Sequence, residues 1–504
     1  MATSTANLLS SAGKRGTGSD EAPRATAEAM QAKIEEIGFG TFQLAMVTCC
    51  GGVMFAEGAE VLIMGSITTL VAEDWHLGAF MKGFMTSIVF VGFAVGNLFS
   101  GFVGDRFGRR PAILLSYLIM GVAGLLTSLT ENAFAMVCVR IFVGVGCGIG
   151  FPSVYTLIPE VCPTHLRGVK SAVLIGFMPI GEFFASLGVL IIDSNLEGER
   201  KPLGFASWRA LVQFSSLPPF FFLALSSLLL QESPHFLLSR GRIAELNSVL
   251  SMMAWWNGKP HLHADFTANT PVGSSKEAPE VGGGKDDDAF SWLDAMAQAF
   301  GQKFLRTTLF LFVANFTKDF SVFGLSYVFP QYFQETAGVL SVGGEMMVIS
   351  TLSLPGVVLA VALTKTDFMG HISCLSLTSA LCGLVSIGVL DAIRWSICAY
   401  FVKFFAMAYF IVAVVYTAEV FPTRIRNSAV GLCTSAGRCG SISSPLVFEL
   451  LKHATDSYSP WWMMLICLMF AVALGAPCCL TLETKGRALA SDEERPKGTQ
   501  YSSA

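Results

Sequence analysis

Eight charged side chains stand inside long apolar stretches of this sequence. The first half carries Glu57, Glu60, Arg140 and Glu182 in this setting, and the second half carries Lys318, Asp319, Lys403 and Arg438. Burying a charge among apolar groups costs free energy unless the charge is paired. Such a residue is therefore a candidate for a functional site. Carboxylates take up and release protons, and a guanidinium can hold a carboxylate through two parallel hydrogen bonds. These residue types therefore indicate binding of a small ion and of protons.

The apolar stretches dominate the composition of the chain. Of the 504 residues, 53% are hydrophobic and 14% are charged, against about 25% charged in an ordinary soluble protein. The mean hydropathy is +0.58. The formal net charge of −4 leaves no basic excess for nucleic-acid binding. The composition predicts a polytopic membrane protein.

The elements that position the charged residues are predicted transmembrane helices, each needing about 20 apolar residues. Twelve stretches qualify, as six, a polar interval, and six. They are 41–71, 81–104, 112–129, 133–156, 172–192, 208–230, 307–333, 342–363, 372–390, 395–417, 429–450 and 461–482. The sequence thus predicts an all-α membrane protein with twelve transmembrane helices in two pseudo-symmetric six-helix bundles, residues 41–230 and 307–482.

Three polar segments flank the bundles. Residues 1–40 and 483–504 are predicted to be tails, the first of them disordered. Residues 231–306 form a linker, in which 243–256 and 290–300 are predicted amphipathic helices around the unstructured stretch 270–288. Most of the 33 Lys and Arg residues fall on the side of the tails and the linker, which predicts that this side is cytosolic.

The charged residues avoid every third helix. Predicted spans 3, 6, 9 and 12 have apolar interiors, as expected of helices that face lipid, and the other spans can surround a polar cavity. Glu182 and Arg438 lie near the middle of their spans. Arg140 and Lys403 lie nearer the outer ends, where snorkelling or a structural ion pair is the alternative to function.

The spacing of the other charges predicts their directions. Glu57 and Glu60 are three residues apart and share one helix face, so both should point into the cavity, unless they only fix helix packing. Lys318 and Asp319 are adjacent, so at most one should face the cavity. Arg438 could bind an anion, or it could neutralise a glutamate across the cavity.

An internal repeat closes the fourth span of each half. Glu160 to Arg167 and Glu419 to Arg426 both read E-x-x-P-T-x-x-R. Such duplication is typical of transporters whose two halves rock about a central site. We expect these residues to form cytosolic ion pairs that act as a gate.

A ten-residue loop after the second span joins these features to a known family. The loop reads GFVGDRFGRR, with its signature positions at Gly101, Asp105, Arg106, Gly108, Arg109 and Arg110. It resembles the signature of the Major Facilitator Superfamily, a resemblance that extends over residues 41–486. The resemblance implies a cytosolic lock around Asp105. The equivalent second-half loop, 365–371, lacks the double arginine.

Other motifs resemble one branch of that superfamily. Glu232-Ser-Pro and Glu483-Thr-Lys-Gly are shared by sugar porters and organic-ion transporters. The stretch from Tyr416 to Leu446 resembles the organic-ion and synaptic-vesicle-2-related branch. Phe55 to Gly65 is similar to the first helix of aromatic-acid:proton symporters, with glutamates in place of aspartates. The resemblance implies transport of a small organic ion.

The sequence therefore predicts a monomeric secondary transporter, not an enzyme, working by alternating access in a plasma or vesicle membrane. An organic anion such as an aromatic carboxylate is the favoured substrate, with proton coupling. Transport of an organic cation or a sugar, and a non-transporting vesicle or receptor-like protein, are the alternatives. The sequence contains no GxxxxGK[ST] nucleotide-binding loop. No metal or cofactor is predicted, since the seven histidines are scattered.

Overall fold

A computed structural model shows the chain as a bundle of helices. It describes residues 26–163, 167–193, 207–262, 264–267, 300–302, 304–335, 340–365, 369–388, 395–421, 423–455, 460–475 and 480. The predicted unstructured stretch 270–288 and the predicted tail 483–504 lie outside these residues, as does nearly all of the predicted helix 290–300.

Sixteen α-helices and no strand occur in the described part of the chain. The helices are α1 (Ala27–Ile37), α2 (Thr41–Asp74), α3 (Ala79–Phe107), α4 (Arg109–Ser128), α5 (Ala133–Val161), α6 (Arg167–Asp193), α7 (Ser207–Ser215), α8 (Leu217–Leu229), α9 (Pro234–Ser239), α10 (Ile243–Trp256), α11 (Leu305–Glu335), α12 (Val342–Lys365), α13 (His371–Gly388), α14 (Trp395–Val420), α15 (Thr423–Thr455) and α16 (Pro460–Ala473).

Each of the twelve predicted spans corresponds to a helix or a pair of helices. Nine described stretches are long and apolar enough to cross a membrane, and α13 and α16 are shorter apolar helices. The sixth span of the first half is counted among the nine, and the one remaining span is α15. Its many Ser and Gly residues and Arg438 make α15 the most polar helix of the set. The predicted span 208–230 is α7 and α8, which meet at Ser216. Pro218 and Pro219 lie in the first turn of α8, where a missing N–H group is tolerated.

Helix packing repeats between the two halves of the chain. In the first half α2 packs on α6, and α3 and α4 pack on α5. In the second half α11 packs on α15, and α12 and α13 pack on α14. Each pair occupies the same position in its own half. The prediction of two pseudo-symmetric bundles is confirmed.

The bundles approach each other closely near one end. We name the end next to residues 231–306 the linker face and the other end the opposite face. Near the opposite face, a Cβ atom on Gly343 of α12 would lie 2.5 Å from Leu190 Cα of α6. A Cβ atom on Gly83 of α3 would lie 2.9 Å from Leu446 Cα of α15. Glycine at these positions allows the two backbones to approach.

A small helical layer covers the linker face of the first bundle. The linker contributes α9 and α10, and α10 coincides with the predicted helix 243–256. The amide of Asn257 donates to Gln43 Oε1 at 2.9 Å and to the Gly38 carbonyl at 3.2 Å. Its oxygen accepts from the Phe42 backbone N–H at 3.0 Å. These bonds tie the linker to the start of α2.

The N-terminal segment differs from the prediction of a disordered tail over residues 1–40. Residues Ala27–Ile37 form α1, with Met30, Ile34 and Ile37 buried. Their spacing places them on one face of the helix. The hydroxyl of Thr26 accepts a hydrogen bond from the Ala29 N–H and caps α1. An apolar stripe too short for a membrane span was sufficient to pack α1 on the linker.

Candidate functional site

All eight charged residues predicted from the sequence are buried, and they form four ion pairs. The pairs are Glu57 with Arg438, Glu60 with Arg140, Glu182 with Lys403, and Lys318 with Asp319. Two of these pairs connect the bundles, and two lie within one bundle.

Glu57 and Arg438 face each other between the bundles. Glu57 Oε1 of α2 lies 3.8 Å from Arg438 Nη1 of α15, and the side chains are 4% and 10% exposed. The distance is too long for a hydrogen bond. Neither of these two atoms has a hydrogen-bond partner among the described residues. Because buried polar atoms are normally hydrogen-bonded, the pair leaves donor and acceptor capacity for a ligand.

Aromatic rings from both bundles surround Arg438. Its Cζ atom lies 3.8 Å from the ring centroid of Phe93, 5.3 Å from that of Phe151 and 5.5 Å from that of Phe323. Phe93 and Phe151 belong to α3 and α5, and Phe323 belongs to α11. The rings attract the guanidinium through cation–π interactions without using its N–H groups. Arg438 is therefore held in place with donors available.

A second pair borders the same space. Lys318 Nζ lies 2.5 Å from Asp319 Oδ1 and 4.4 Å from the Phe410 ring centroid. Asp319 Oδ2 packs against Gly437, where a Cβ atom would come within 2.4 Å. Although adjacent side chains leave a helix in different directions, the charged groups of Lys318 and Asp319 meet. The long lysine side chain bends back, so both charges are buried together beside Arg438.

Glu60 faces a different direction from Glu57. Its carboxylate forms an ion pair with Arg140 of α5, and Ser215 Oγ donates to Glu60 Oε2 at 3.4 Å. All three residues belong to the first bundle. The structure thus differs from the prediction that both glutamates face the cavity, because three residues along a helix rotate the side chain about 60° short of a full turn. Arg140 is 1% exposed and does not snorkel.

Lys403 and Glu182 form the other pair between the bundles. Lys403 Nζ of α14 lies 2.8 Å from Glu182 Oε1 of α6, and the side chains are 1% and 0% exposed. Ser326 of α11 donates to Glu182 Oε1 at 2.7 Å. Lys403 is fully buried in this ion pair and does not snorkel.

At the linker face, the glutamates of the two repeated motifs make equivalent contacts. Arg109 Nε lies 3.8 Å from Glu160 Oε2, and His371 Nδ1 lies 3.1 Å from Glu419 Oε2. Arg109 and His371 are the first residues of α4 and α13, which correspond to the third predicted span of each half. Ser233 donates a hydrogen bond to Glu160. Glu160 and Glu419 thus each contact the first residue of a neighbouring helix.

Some residues of the predicted gate have other surroundings. Gly101 and Arg106 are exposed, and Arg106 Cζ lies 5.6 Å from the ring centroids of both Phe102 and Phe107. The side chains of Asp105, Arg167 and Arg426 lie outside what the structure describes. Their predicted roles stay predictions.

Glu232 is a structural residue that the sequence reasoning used only as a family marker. Its carboxylate accepts hydrogen bonds from the backbone N–H groups of Arg109 at 2.9 Å, Arg110 at 3.3 Å and Ser233 at 2.9 Å. Burial raises the pKa of Glu232 from its ordinary value, although these N–H groups lower it. Gly108 has φ +108°, and a Cβ atom there would lie 2.2 Å from Glu232 Oε2. Glu232 thus caps the N-terminus of α4.

Replacing Glu232 by Ala is expected to lower the melting temperature of the detergent-purified protein. The substitution leaves the first N–H groups of α4 without their acceptor, at a cost of about 0.5–2 kcal/mol. Hydrogen exchange should accelerate at Arg109 and Arg110. Glu232→Gln retains one acceptor oxygen and should lose less. Equal melting curves for the Ala variant and the parent protein would contradict the capping role.

Two buried glutamates near the opposite face were also missed. Tyr327 donates to Glu449 Oε1 at 2.7 Å, and Tyr400 donates to Glu345. Both glutamates are at most 2% exposed. They stand close to the ends of their predicted spans, where a charge would ordinarily reach water. Among the described residues, no group of three or more His, Cys, Asp or Glu could hold a metal ion.

The helix order and the paired charges between two repeated halves define a multi-pass membrane transporter of the two-bundle type. Solved structures share this fold. The inward open xylose transporter XylE from E. coli has a TM-score of 0.67 and 17% identity, covering 89% of this chain and 98% of that one. XylE bound to 6-bromo-6-deoxy-D-glucose has a TM-score of 0.62 and 17% identity, covering 92% and 98%.

The chain belongs to the sugar (and other) transporter family of the Major Facilitator Superfamily, whose family model matches residues 44–494. The niacin transporter NiaP of Acinetobacter baylyi is 26% identical, over 91% of this chain and 98% of that protein. The organic cation/carnitine transporter 7 of Arabidopsis thaliana is 26% identical, over 90% and 94%. The synaptic vesicle 2-related protein of Rattus norvegicus is 25% identical, over 93% and 83%.

These relatives confirm the resemblance to the organic-ion and synaptic-vesicle-2-related branch. The family consists of membrane transporters and not of enzymes, so the prediction that the chain is not an enzyme is confirmed. Sugars and other small organic molecules are the substrates of the family. The chain is a transporter of this general class.

Proposed function

We propose that this protein is a proton-coupled secondary transporter of a small organic anion, with an aromatic carboxylate as the favoured substrate. The observation that supports this most directly is Arg438, which lies between the bundles with a buried Nη1 atom that has no hydrogen-bond partner in the described part of the chain. Transport follows alternating access, in which the bundles expose the space between Glu57 and Arg438 first to one side of the membrane and then to the other.

The surroundings of Arg438 favour a flat, anionic ligand. A guanidinium can donate two parallel hydrogen bonds to a carboxylate, and such bonds are strong where water is excluded. Phe93, Phe151 and Phe323 provide ring surfaces beside the guanidinium. An aromatic ring attached to the carboxylate could pack against them. The similarity to a niacin transporter supports the same substrate class, because niacin is an aromatic carboxylate.

An organic cation is the second candidate substrate. Glu57 and Asp319 border the same space as Arg438 and Lys318, so the four charges sum to zero. If Arg438 and Lys318 serve only to neutralise the two carboxylates, the space can accept a cation or a zwitterion. The similarity to an organic cation/carnitine transporter supports this alternative.

Glu57 is the proposed proton carrier. It is buried, borders the proposed ligand space and is 3.8 Å from a cation on the other bundle. Protonation of Glu57 would release Arg438 from this attraction, and a carboxylate substrate would compete for the same arginine. Proton binding and substrate binding would thereby be linked at one residue pair.

The placement of the protein in the cell belongs to the same proposal. The Lys and Arg distribution supports a cytosolic linker face. Similarity to synaptic vesicle 2-related proteins supports a vesicle membrane over the plasma membrane. A monomer is sufficient for the mechanism, because both bundles of the site come from one chain.

Uptake by liposomes containing the purified protein tests the proposal. With an imposed pH gradient, labelled nicotinate should accumulate inside, and a protonophore should abolish the accumulation. Protein-free liposomes are the control. Stronger inhibition by tetraethylammonium than by carboxylates would favour the cation alternative, and inhibition by xylose would favour a sugar. If labelled nicotinate, tetraethylammonium and xylose are each offered and none is taken up, the result would support the non-transporting alternative.

A further inference from the structure

We propose that Glu182 and Lys403 form the gate at the opposite face, an ion pair between the bundles that must break each time the transporter opens on that side. The inference rests on the proposed alternating access. It adds a role for two residues that the sequence placed with the ligand site.

The ammonium group of Lys403 is fully enclosed by acceptors. Nζ donates to Glu182 Oε1 at 2.8 Å, to the Val322 carbonyl at 3.3 Å and to Ser326 Oγ. Three acceptors match the three N–H donors of a lysine. Glu182 comes from the first bundle, whereas Lys403, Val322 and Ser326 come from the second. The ammonium group is therefore saturated with protein contacts, unlike Arg438 Nη1, whereas Glu182 Oε2 has no hydrogen-bond partner among the described residues.

The pair belongs to a continuous seam along one face of α6. Glu182, Ser186 and Leu190 follow each other at intervals of four residues and so share a helix face. Ser186 Oγ lies 3.3 Å from Ser350 Oγ of α12, and Leu190 packs against Gly343. The seam runs from Glu182 to the opposite face. Opening on that side must separate α6 from the second bundle along the whole seam.

Separating the bundles costs more free energy at the Glu182–Lys403 pair than at the neutral contacts of the seam. When Glu182 leaves Lys403, each charge loses its partner and needs water or a ligand instead. The closed seam is consequently favoured until water can enter. Replacing both charges by neutral groups removes this requirement, so the seam should open more often.

The pair of Glu60 and Arg140 provides a matched control. It is also a buried carboxylate with a buried cation, but both residues lie in the first bundle. A rocking motion of the bundles leaves this pair intact. Loss of this pair should affect the first bundle and leave the seam between the bundles closed.

Hydrogen exchange measured by mass spectrometry on the full chain in lipid nanodiscs, without substrate, tests the gate. In E182Q/K403Q, amide exchange over 186–193 and 342–350 should rise about five-fold or more relative to the parent protein, a typical conformational coupling. In E60Q/R140Q these segments should exchange at the parent rate. The charge-swapped E182K/K403E should return exchange toward the parent rate.

The results separate the gate from the proposed substrate. Unchanged exchange in the folded E182Q/K403Q protein would overturn the gate, even if nicotinate accumulates. An equal rise in E60Q/R140Q would also overturn it, because the effect would then be general loosening. If E182Q/K403Q does not fold, failure of the folded E182K/K403E variant to keep the seam closed would overturn it. Because no substrate is present, a raised exchange rate supports the gate even if no substrate class is taken up.

Discussion

Replacing Glu57 by Gln is expected to abolish pH-driven accumulation of substrate while counterflow exchange at equal pH continues. Glutamine keeps the size and the hydrogen-bonding oxygen of the side chain, but it cannot exchange a proton. Glu57 lies between the bundles, 3.8 Å from Arg438, where loss of a proton and arrival of an anion affect each other. Uptake by liposomes with and without a pH gradient measures the two activities separately.

Glu60 on the same helix is the control for this experiment. Its carboxylate pairs with Arg140 inside the first bundle, so Glu60→Gln should mainly lower the melting temperature. Leaving a buried cation without its partner costs about 3–5 kcal/mol. The folded fraction of Glu60→Gln protein should still accumulate substrate. Unchanged accumulation in Glu57→Gln, or loss of coupling confined to Glu60→Gln, would remove Glu57 from the coupling step.

The helices were predictable because a membrane span depends on local hydropathy. Every predicted span corresponds to a described helix or helix pair, since about 20 consecutive apolar residues are a requirement of the bilayer. The exceptions involve other forces. The division of the sixth span at Ser216 reflects the prolines of α8. The helix α1 depends on packing against the linker, which no local pattern of a membrane span reveals.

The charged residues of the site were also predictable, whereas their partners were not. Burial of a charge in an apolar stretch can be recognised from the sequence alone. Which charge meets Arg438 depends on how α15 of the second bundle packs against α3 of the first. A rotation of 60° between Glu57 and Glu60 decides which one faces the other bundle. The role of Glu232 was not predictable, because it accepts hydrogen bonds from N–H groups of a helix that is distant in sequence.

Replacing Arg438 by Lys should weaken binding of an aromatic monocarboxylate by about 1.5–3 kcal/mol, the usual contribution of a hydrogen bond to a charged group. This corresponds to roughly ten-fold or more in apparent affinity. Lysine keeps the positive charge but lacks the planar pair of donors, and it stacks differently on aromatic rings. The affinity should be measured by counterflow at equal pH, where proton coupling makes no contribution.

Neutralising both members of the central pair distinguishes a ligand-binding arginine from a counter-ion. If Arg438 only compensates Glu57, then removing both charges in E57Q/R438Q should restore counterflow of the substrate relative to Arg438→Gln alone. If Arg438 binds the carboxylate, the double variant should be no better than Arg438→Gln, because the anion has lost its donor. Phe93→Leu completes the comparison. It removes the ring 3.8 Å from the guanidinium and retains both charges, so it should weaken an aromatic carboxylate more than an aliphatic one. Recovery of anion counterflow in E57Q/R438Q would show that Arg438 is a counter-ion of Glu57 and does not bind the substrate carboxylate.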